Sequence, residues 1–319
     1  MTAAKDDLEK RLTQLKREVP TRGLERHPSV LKNISDLPPD LQSPAVAALA
    51  SSIAIQTIIA FPPQIHRGWH YVPKQALLFS PADVICLMAS VWPDQEPQIR
   101  HIKGGGIMYV RVSMILLYGL LEILAQGPGS PTRVNVEFNT VSWYLLAPPV
   151  QKLLQTTKAI SGTQIGKSSY SPDIQHTLDT LPLKFSNGVS LYGVLPGELL
   201  EAVVFQRGTW ERWLLLIRRP ISANTLLLLT SNYMVVIQED LKTRYGWIIS
   251  YLTRESIAGI QNQACGEWNE LTVQLKRGRQ TATYTLQLKR EVAEVWGEQW
   301  VQQGGQWQDL PGEAKKPSW

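Results

Sequence analysis

Apolar and polar positions along this chain fall into blocks whose period shifts between helical and extended. In residues 4–19, Leu8, Leu12, Leu15 and Val19 recur at alternating spacings of four and three with charges between them, one helical face about two heptads long. Such a face serves either a weak homodimer through Leu8, Leu12 and Leu15 or a helix lying on its own protein, and two heptads favour the second. Residues 20–42, with scattered prolines, read as a connector. Ser43 as N-cap and Pro44 at the first helical position predict a helix from Ala45 to Phe61, closed by Pro62 and Pro63. Gln75–Met88 is two short apolar runs around Ser80-Pro81-Ala82-Asp83, a hairpin pattern. Residues 91–106 are polar and end in Gly104-Gly105-Gly106, a strand-entry turn. Met108, Val110, Val112 and Met114 then alternate with Tyr109, Arg111 and Ser113, predicting a half-buried strand. After the turn cluster Gly127–Pro131, Val134, Val136 and Phe138 alternate with polar residues. Asn139 begins a helix through Trp143, which Pro148-Pro149 is expected to break, with a further turn or two to Lys158.

The second half follows the same order more clearly. Residues 159–183 have a linker's composition. Glu198–Gln206 and Trp213–Arg219 precede Thr225–Gln261, which reads as three strands with polar turns. Leu271, Val273 and Leu275 alternate up to Arg277-Gly278-Arg279, and Ala282, Tyr284, Leu286 and Leu288 alternate on the return. A helix from Arg290 carries Val292, Val295, Trp296 and Trp300 and ends at Gly304-Gly305, leaving residues 306–319 as a loose tail. The hairpin pattern at Leu77–Met88 recurs at Leu227–Gln238, with apolar and turn positions coinciding.

Composition narrows the classes. The 44% hydrophobic and 18% charged content of 319 residues is that of a folded chain of about two domains. A net charge of +5 is too modest to predict nucleic-acid binding. Cys86 and Cys265, with no secretory signal in view, read as reduced thiols of a cytoplasmic protein. The apolar stretches Ala45–Phe61 and Ile107–Ala125 are short or interrupted by charge, which disfavours a membrane span.

The chemistry-bearing candidates have ordinary structural readings. Residues 161–168, SGTQIGKS, lack the first glycine of a phosphate-binding loop and the strand and helix that flank one. His66 and His70 have a helical metal-pair spacing, but Gly68 and the prolines oppose a helix, and His101 has no pattern linking it to them. Glu122 and Glu137 have no sequence relation that makes them an acid–base pair. No catalytic residue, metal site or cofactor is predicted.

Leu195–Gln303 resembles a bacterial pleckstrin-homology-like (PH-like) domain. The segments that carry the likeness are Pro196-Gly197-Glu198, the hairpin beginning Leu226, Gly246–Gln261 and the terminal helix with Trp296. Gln75–Lys158 shares it more loosely. The resemblance implies an α+β chain with two PH-like antiparallel barrel or sandwich modules, each closed by a C-terminal helix. The expected organisation is an N-terminal helix and connector at 1–42, a helix and first module at 43–158, a linker at 159–183, a second module at 184–303 and a tail at 304–319. It also implies a non-enzymatic adaptor or scaffold that docks a protein or peptide. The alternative is peripheral association with anionic lipid through Lys276, Arg277 and Arg279, joined by Arg218 and Arg219. Three such charges supply about 3 kcal/mol, below the ~4 kcal/mol of a millimolar complex. Trp210 and Trp213 are the expected partner platform.

Overall fold

The computed structural model describes residues 2–19, 27–49, 54–66, 70–92, 94–156, 171–213, 217–241, 243 and 245–311. The chain forms an α+β fold with mostly antiparallel sheets, divided into two compact units. Among the described residues no sheet closes into a barrel, one of the two forms, barrel or sandwich, expected from the sequence.

The first unit takes residues 1–106, 117–121 and 134–157. Its sheet has the order β1 (Ser29–Leu31), β2 (Thr57–Phe61), β5 (Gln75–Phe79), β6 (Asp83–Met88), β7 (Gln98–Lys103), all antiparallel. A small hairpin, β3 (Gln64–His66) and β4 (His70–Val72), is inserted between β2 and β5. Helix α1 (Thr2–Glu18) buries Leu15, and its Arg11 Nε donates to Val91 O at 3.0 Å. It therefore lies on its own chain. The helix expected at Ala45–Phe61 is corrected: α2 spans Pro39–Ala48, and Thr57–Phe61 is a strand. Pro39, not Pro44, takes the first helical position, because Leu41 and Ala45 then face Ile58, Ala60, Leu78 and Leu87 in the core. Thr57, Ile58 and Ile59 are β-branched and pair with β5, which wins over helical continuation. The polar stretch before Gly104 contains β7, a strand its exposed composition concealed.

The second unit takes residues 107–116, 122–133 and 158–319. Part of the expected linker is structured as α4 (Pro172–Thr180), capped by Ser171 Oγ accepting from Ile174 N; α5 (Leu183–Gly188) begins at the linker's last residue and buries Phe185 against Phe205 and Trp247. Residues 157–170 lie outside the described set. This unit holds all or part of every strand in a seven-stranded sheet ordered β10 (Thr132–Asn139), β9 (Tyr118–Ala125), β8 (Ile107–Ile115), β16 (Trp247–Thr253), β15 (Tyr233–Glu239), β14 (Thr225–Thr230), β11 (Leu200–Gln206). Here too a hairpin, β12 (Trp210–Trp213) and β13 (Ile217–Pro220), lies between the first two strands of the meander. A second sheet has the order β19 (Gln280–Lys289), β18 (Trp268–Arg277), β17 (Ile257–Cys265), β20 (Trp307–Leu310). The core joins Leu227, Leu229, Met234 and Leu252 to Ile260, Leu271, Val273 and Leu286, and helix α6 (Arg290–Gln302) seals it with Ala293, Trp296 and Trp300. Val295, expected on that face, is exposed.

Strand β8 is almost wholly buried, not half-buried as its alternation predicted, because Tyr109 as well as Met108 and Val110 is covered. It pairs with β16 from Tyr109 opposite Leu252 to Met114 opposite Trp247. Thr253 Oγ1 donates to Ile107 O at 3.0 Å, and Ser256 Oγ to Met108 O at 3.2 Å. These bonds fix the register at the end of the pair. Beside it Tyr109 OH donates to the buried Glu122 carboxylate, and Tyr109 packs edge-on against Tyr284. Burial first, then the Glu122 bond and charge, push the Tyr109 hydroxyl well above its usual range.

The two halves repeat element by element at one constant sequence offset: β5 with β14, β6 with β15, β7 with β16, β8 with β17, β9 with β18. Small details repeat as well. Asp83 N donates to Ser80 Oγ at 2.8 Å, and Tyr233 N to Thr230 Oγ1 at 3.1 Å. Gly104 N donates to Ala82 O, and Arg254 N to Asn232 O. The turns after β8 and β17 place Leu116 and Gly266 at φ 55° and 69°. Each half ends in a helix, α3 (Trp143–Thr156) or α6. Asn139 Oδ1 accepts from Val141 N at the entry to α3, as its N-cap position predicted. Helix α3 passes through Pro148 and Pro149 instead of breaking, since Leu146, Val150, Leu153 and Leu154 hold its buried face.

Where the halves differ, packing compensates. Phe138 lies over Gly119, whereas Leu288 lies opposite Asn269 at the corresponding positions. A Cβ at Gly119 would run into the Phe138 ring. Gly119→Ala is expected to lower stability by about 1–3 kcal/mol. Adding Phe138→Leu is expected to cost less than the sum of the two single changes, as a double-mutant cycle by denaturant unfolding would measure.

Candidate functional site

The basic tip forms as a tight hairpin. Arg277 pairs with Gln280, and Gly278 at φ 57° takes the first central position, where such turns favour glycine. The tip is less free than its sequence implied. Arg277 Nη2 lies 2.8 Å from Glu255 Oε2, and its side chain is 15% exposed. Gln280 clasps the Gly127 backbone with two bonds, of 2.9 and 2.8 Å. Lys276 and Arg279 are exposed. Arg218 and Arg219 lie on β13, with Arg212 opposite Arg218 and Glu211 opposite Arg219; Trp210 and Trp213 lie on β12. The side chains of these hairpin residues lie outside the described set.

The remaining candidates are engaged structurally. His70 Nε2 is 3.1 Å from Glu137 Oε1, and His101 Nε2 is 3.2 Å from Asp83 Oδ2. His66 sits opposite His70 in the β3–β4 register. Among the described residues there is no group of three His, Cys, Asp or Glu placed to hold a metal ion. Glu122 also has Arg133 Nε at 3.7 Å. Burial pushes the Cys86 thiol up to about 12, which suits a packing role rather than a nucleophile. Residues 161–168 lie outside the described set, and no described helix is long and apolar enough to cross a membrane.

A different place has a site's construction: the slot between β17 and α6. After α6, Gly304 turns the chain at φ 78°, and Gly305 N donates to Trp300 O at 3.0 Å. The chain then returns as β20, the single parallel strand in its sheet, with Trp307 opposite Ile260 and Asp309 opposite Asn262. Gln306 O accepts from both Ile260 N and Trp300 Nε1, each at 3.0 Å, linking strand, helix and returning segment. Trp307 packs on α6 at Gly297, where a Cβ would come within 2.8 Å of the indole.

Two residues further on, Asp309 Oδ1 accepts from Asn262 Nδ2 at 2.8 Å and from Trp307 Nε1 at 3.1 Å. Asn269 Nδ2 donates to Asn262 Oδ1 at 2.8 Å, so the buried Asn262 amide turns its donor toward the carboxylate. The slot thus accepts an extended segment, receives an aromatic ring over a glycine, and offers an oriented amide to an acidic side chain on the same strand face. Within residues 306–319, expected as a loose tail, Trp307–Leu310 is this strand. Trp307 and Asp309, after Gly304-Gly305, were the available signal, but their partners are remote in sequence.

No protein-family model matches this chain, and comparison with curated proteins finds no match. Gly297→Ala is expected to push Trp307 out and loosen β20. Amide exchange at Ile260–Gln263 should quicken while the β18 and β19 amides keep their rates. Unchanged exchange at Ile260–Gln263 would show that the glycine slot does not hold the strand.

Proposed function

We propose that this chain is a non-enzymatic docking protein built from two PH-like modules, and that the slot between β17 and α6 is where it holds an extended protein or peptide segment. The modular reading is supported by the repeated order of a four-strand meander with an inserted hairpin, a one-turn helix, three strands and a closing helix. The observation that carries the docking reading is β20 itself. A short, half-exposed strand already occupies the edge of β17, its ring packed at Gly297 and its carboxylate bonded to Asn262. Strand addition draws its affinity from the backbone and its selectivity from alternate side chains, here an aromatic residue followed two positions later by an acidic one. In the resting chain the tail fills this place, and a partner segment replaces it.

Membrane association has less support. With Arg277 bound to Glu255, Lys276 and Arg279 contribute about 2 kcal/mol at an anionic surface. The two free thiols fit the cytoplasmic setting expected from the sequence.

A labelled peptide spanning residues 306–311 tests the docking reading. It is expected to bind a chain ended after Gly305 and to bind the full chain far more weakly, by fluorescence anisotropy. Replacing its aspartate (Asp309→Ala) removes a hydrogen bond to a charged acceptor, about 1.5–3 kcal/mol, and should weaken binding about ten- to hundred-fold. Equal affinity for the two chains, or none for the shortened one while it still melts cooperatively, would refute the slot as an exchangeable site.

A further inference from the structure

The repeat shows what its sheet edges accept. In the pair β8–β16, the first strand of a three-stranded sheet joins the last strand of a four-stranded meander, antiparallel, with Ser250 opposite Arg111. Each of these strands has a counterpart at the same offset, β17 for β8 and β7 for β16. Among the described residues the counterpart pair, β7 with β17, is not made. Among the described residues β7 has a strand only on its β6 side, and the corresponding edge of β17 is taken by the four residues of β20.

We propose that β7 of one molecule pairs antiparallel with β17 of a second, replacing β20, so that copies associate head to tail. The offset sets the register: Arg100 of one copy lies opposite Gln261 of the next, as Ser250 lies opposite Arg111. In that register Ile102, Arg100 and Ile99 meet Gly259, Gln261 and Asn262, and no like charges oppose. Pairing of β7 with itself is disfavoured, because Arg100, His101 and Lys103 crowd one short edge. Polarity sets the strength. The internal pair is mostly buried, whereas β7 is exposed at every position but Ile102 and β17 carries Gln261 and Gln263. The contact between copies is therefore reversible where the internal one is permanent. Its two surfaces are different, so it is heterologous and extends into open chains unless the rotation closes a ring. Strand β20 caps this growth in the resting molecule. The inference rests on the proposed exchange of β20, since both use the β17 edge.

Sedimentation velocity on the chain ended after Gly305 tests it. The weight-average mass is expected to rise with concentration past twice that of one copy, and the 306–311 peptide should return it to a single copy. A monomer at every concentration that still binds the peptide overturns the head-to-tail pairing and leaves the docking slot standing. Loss of peptide binding in a cooperatively melting chain removes both. The full-length chain gives a second reading that does not depend on the shortened one folding. With Gly297→Ala added to both populations to loosen β20, Arg100→Cys in one and Gln261→Cys in the other should cross-link under mild oxidation when mixed at high concentration. Lys103→Cys with Gln261→Cys, out of register by roughly 10 Å, should not. No cross-link from the first pair, or equal cross-linking from both, contradicts the register and the proposal.

Discussion

An unpaired strand edge exposes backbone donors and acceptors, and the architecture depends on where those edges are covered. The pair β8–β16 is the main instance. Six residue pairs run from Tyr109–Leu252 to Met114–Trp247, and Thr253 and Ser256 add side-chain bonds to the carbonyls of Ile107 and Met108. Because Ser256, Thr253 and Ser250 are all buried, their hydroxyls must be satisfied, which ties the register to the hydrogen-bond pattern. A slip by one residue would turn Val110 and Val112 away from the core and strand these hydroxyls.

The same need explains the far side of the repeat. Among the described residues no strand pairs with β17 as β16 pairs with β8, and the segment after α6 folds back over that edge. That segment is short, and its attachment depends on a few specific contacts: Trp307 at Gly297, Asp309 on Asn262, and Gln306 O between Ile260 and Trp300. A cover of that kind gives an edge that is protected yet can be exchanged. Parallel pairing, slightly weaker per residue than antiparallel, points the same way.

The sequence was legible where burial is one-sided and partners are close. Alternation from Leu271 to Leu275 and from Ala282 to Leu288 gave the β18–β19 hairpin, and the similarity of Leu77–Met88 to Leu227–Gln238 marked elements that do correspond. It was illegible where tertiary partners set the outcome. Thr57–Phe61 followed an alanine-rich helix without a clear stop, and pairing with β5 decided its form. Pro148 and Pro149 lost their breaking effect to the buried face of α3. Strand β7 is polar because it is an edge, and β20 was hidden because four residues carry little periodicity. The basic tip is a turn, as its sequence predicts, but Glu255, its neutralising partner, lies in the one-turn helix between β16 and β17. The slot residues Asn262, Asn269, Gly297, Trp307 and Asp309 come from four separate elements, so no local pattern announces them.

Hydrogen–deuterium exchange across β7, β8 and β16 tests the central claim that the β8–β16 pair anchors the molecule. Amides of Tyr109–Met114 and Trp247–Leu252 are expected among the slowest in the chain, with β7 amides far faster although β7 is the counterpart of β16. Exchange in β8 as fast as in β7 would contradict the account.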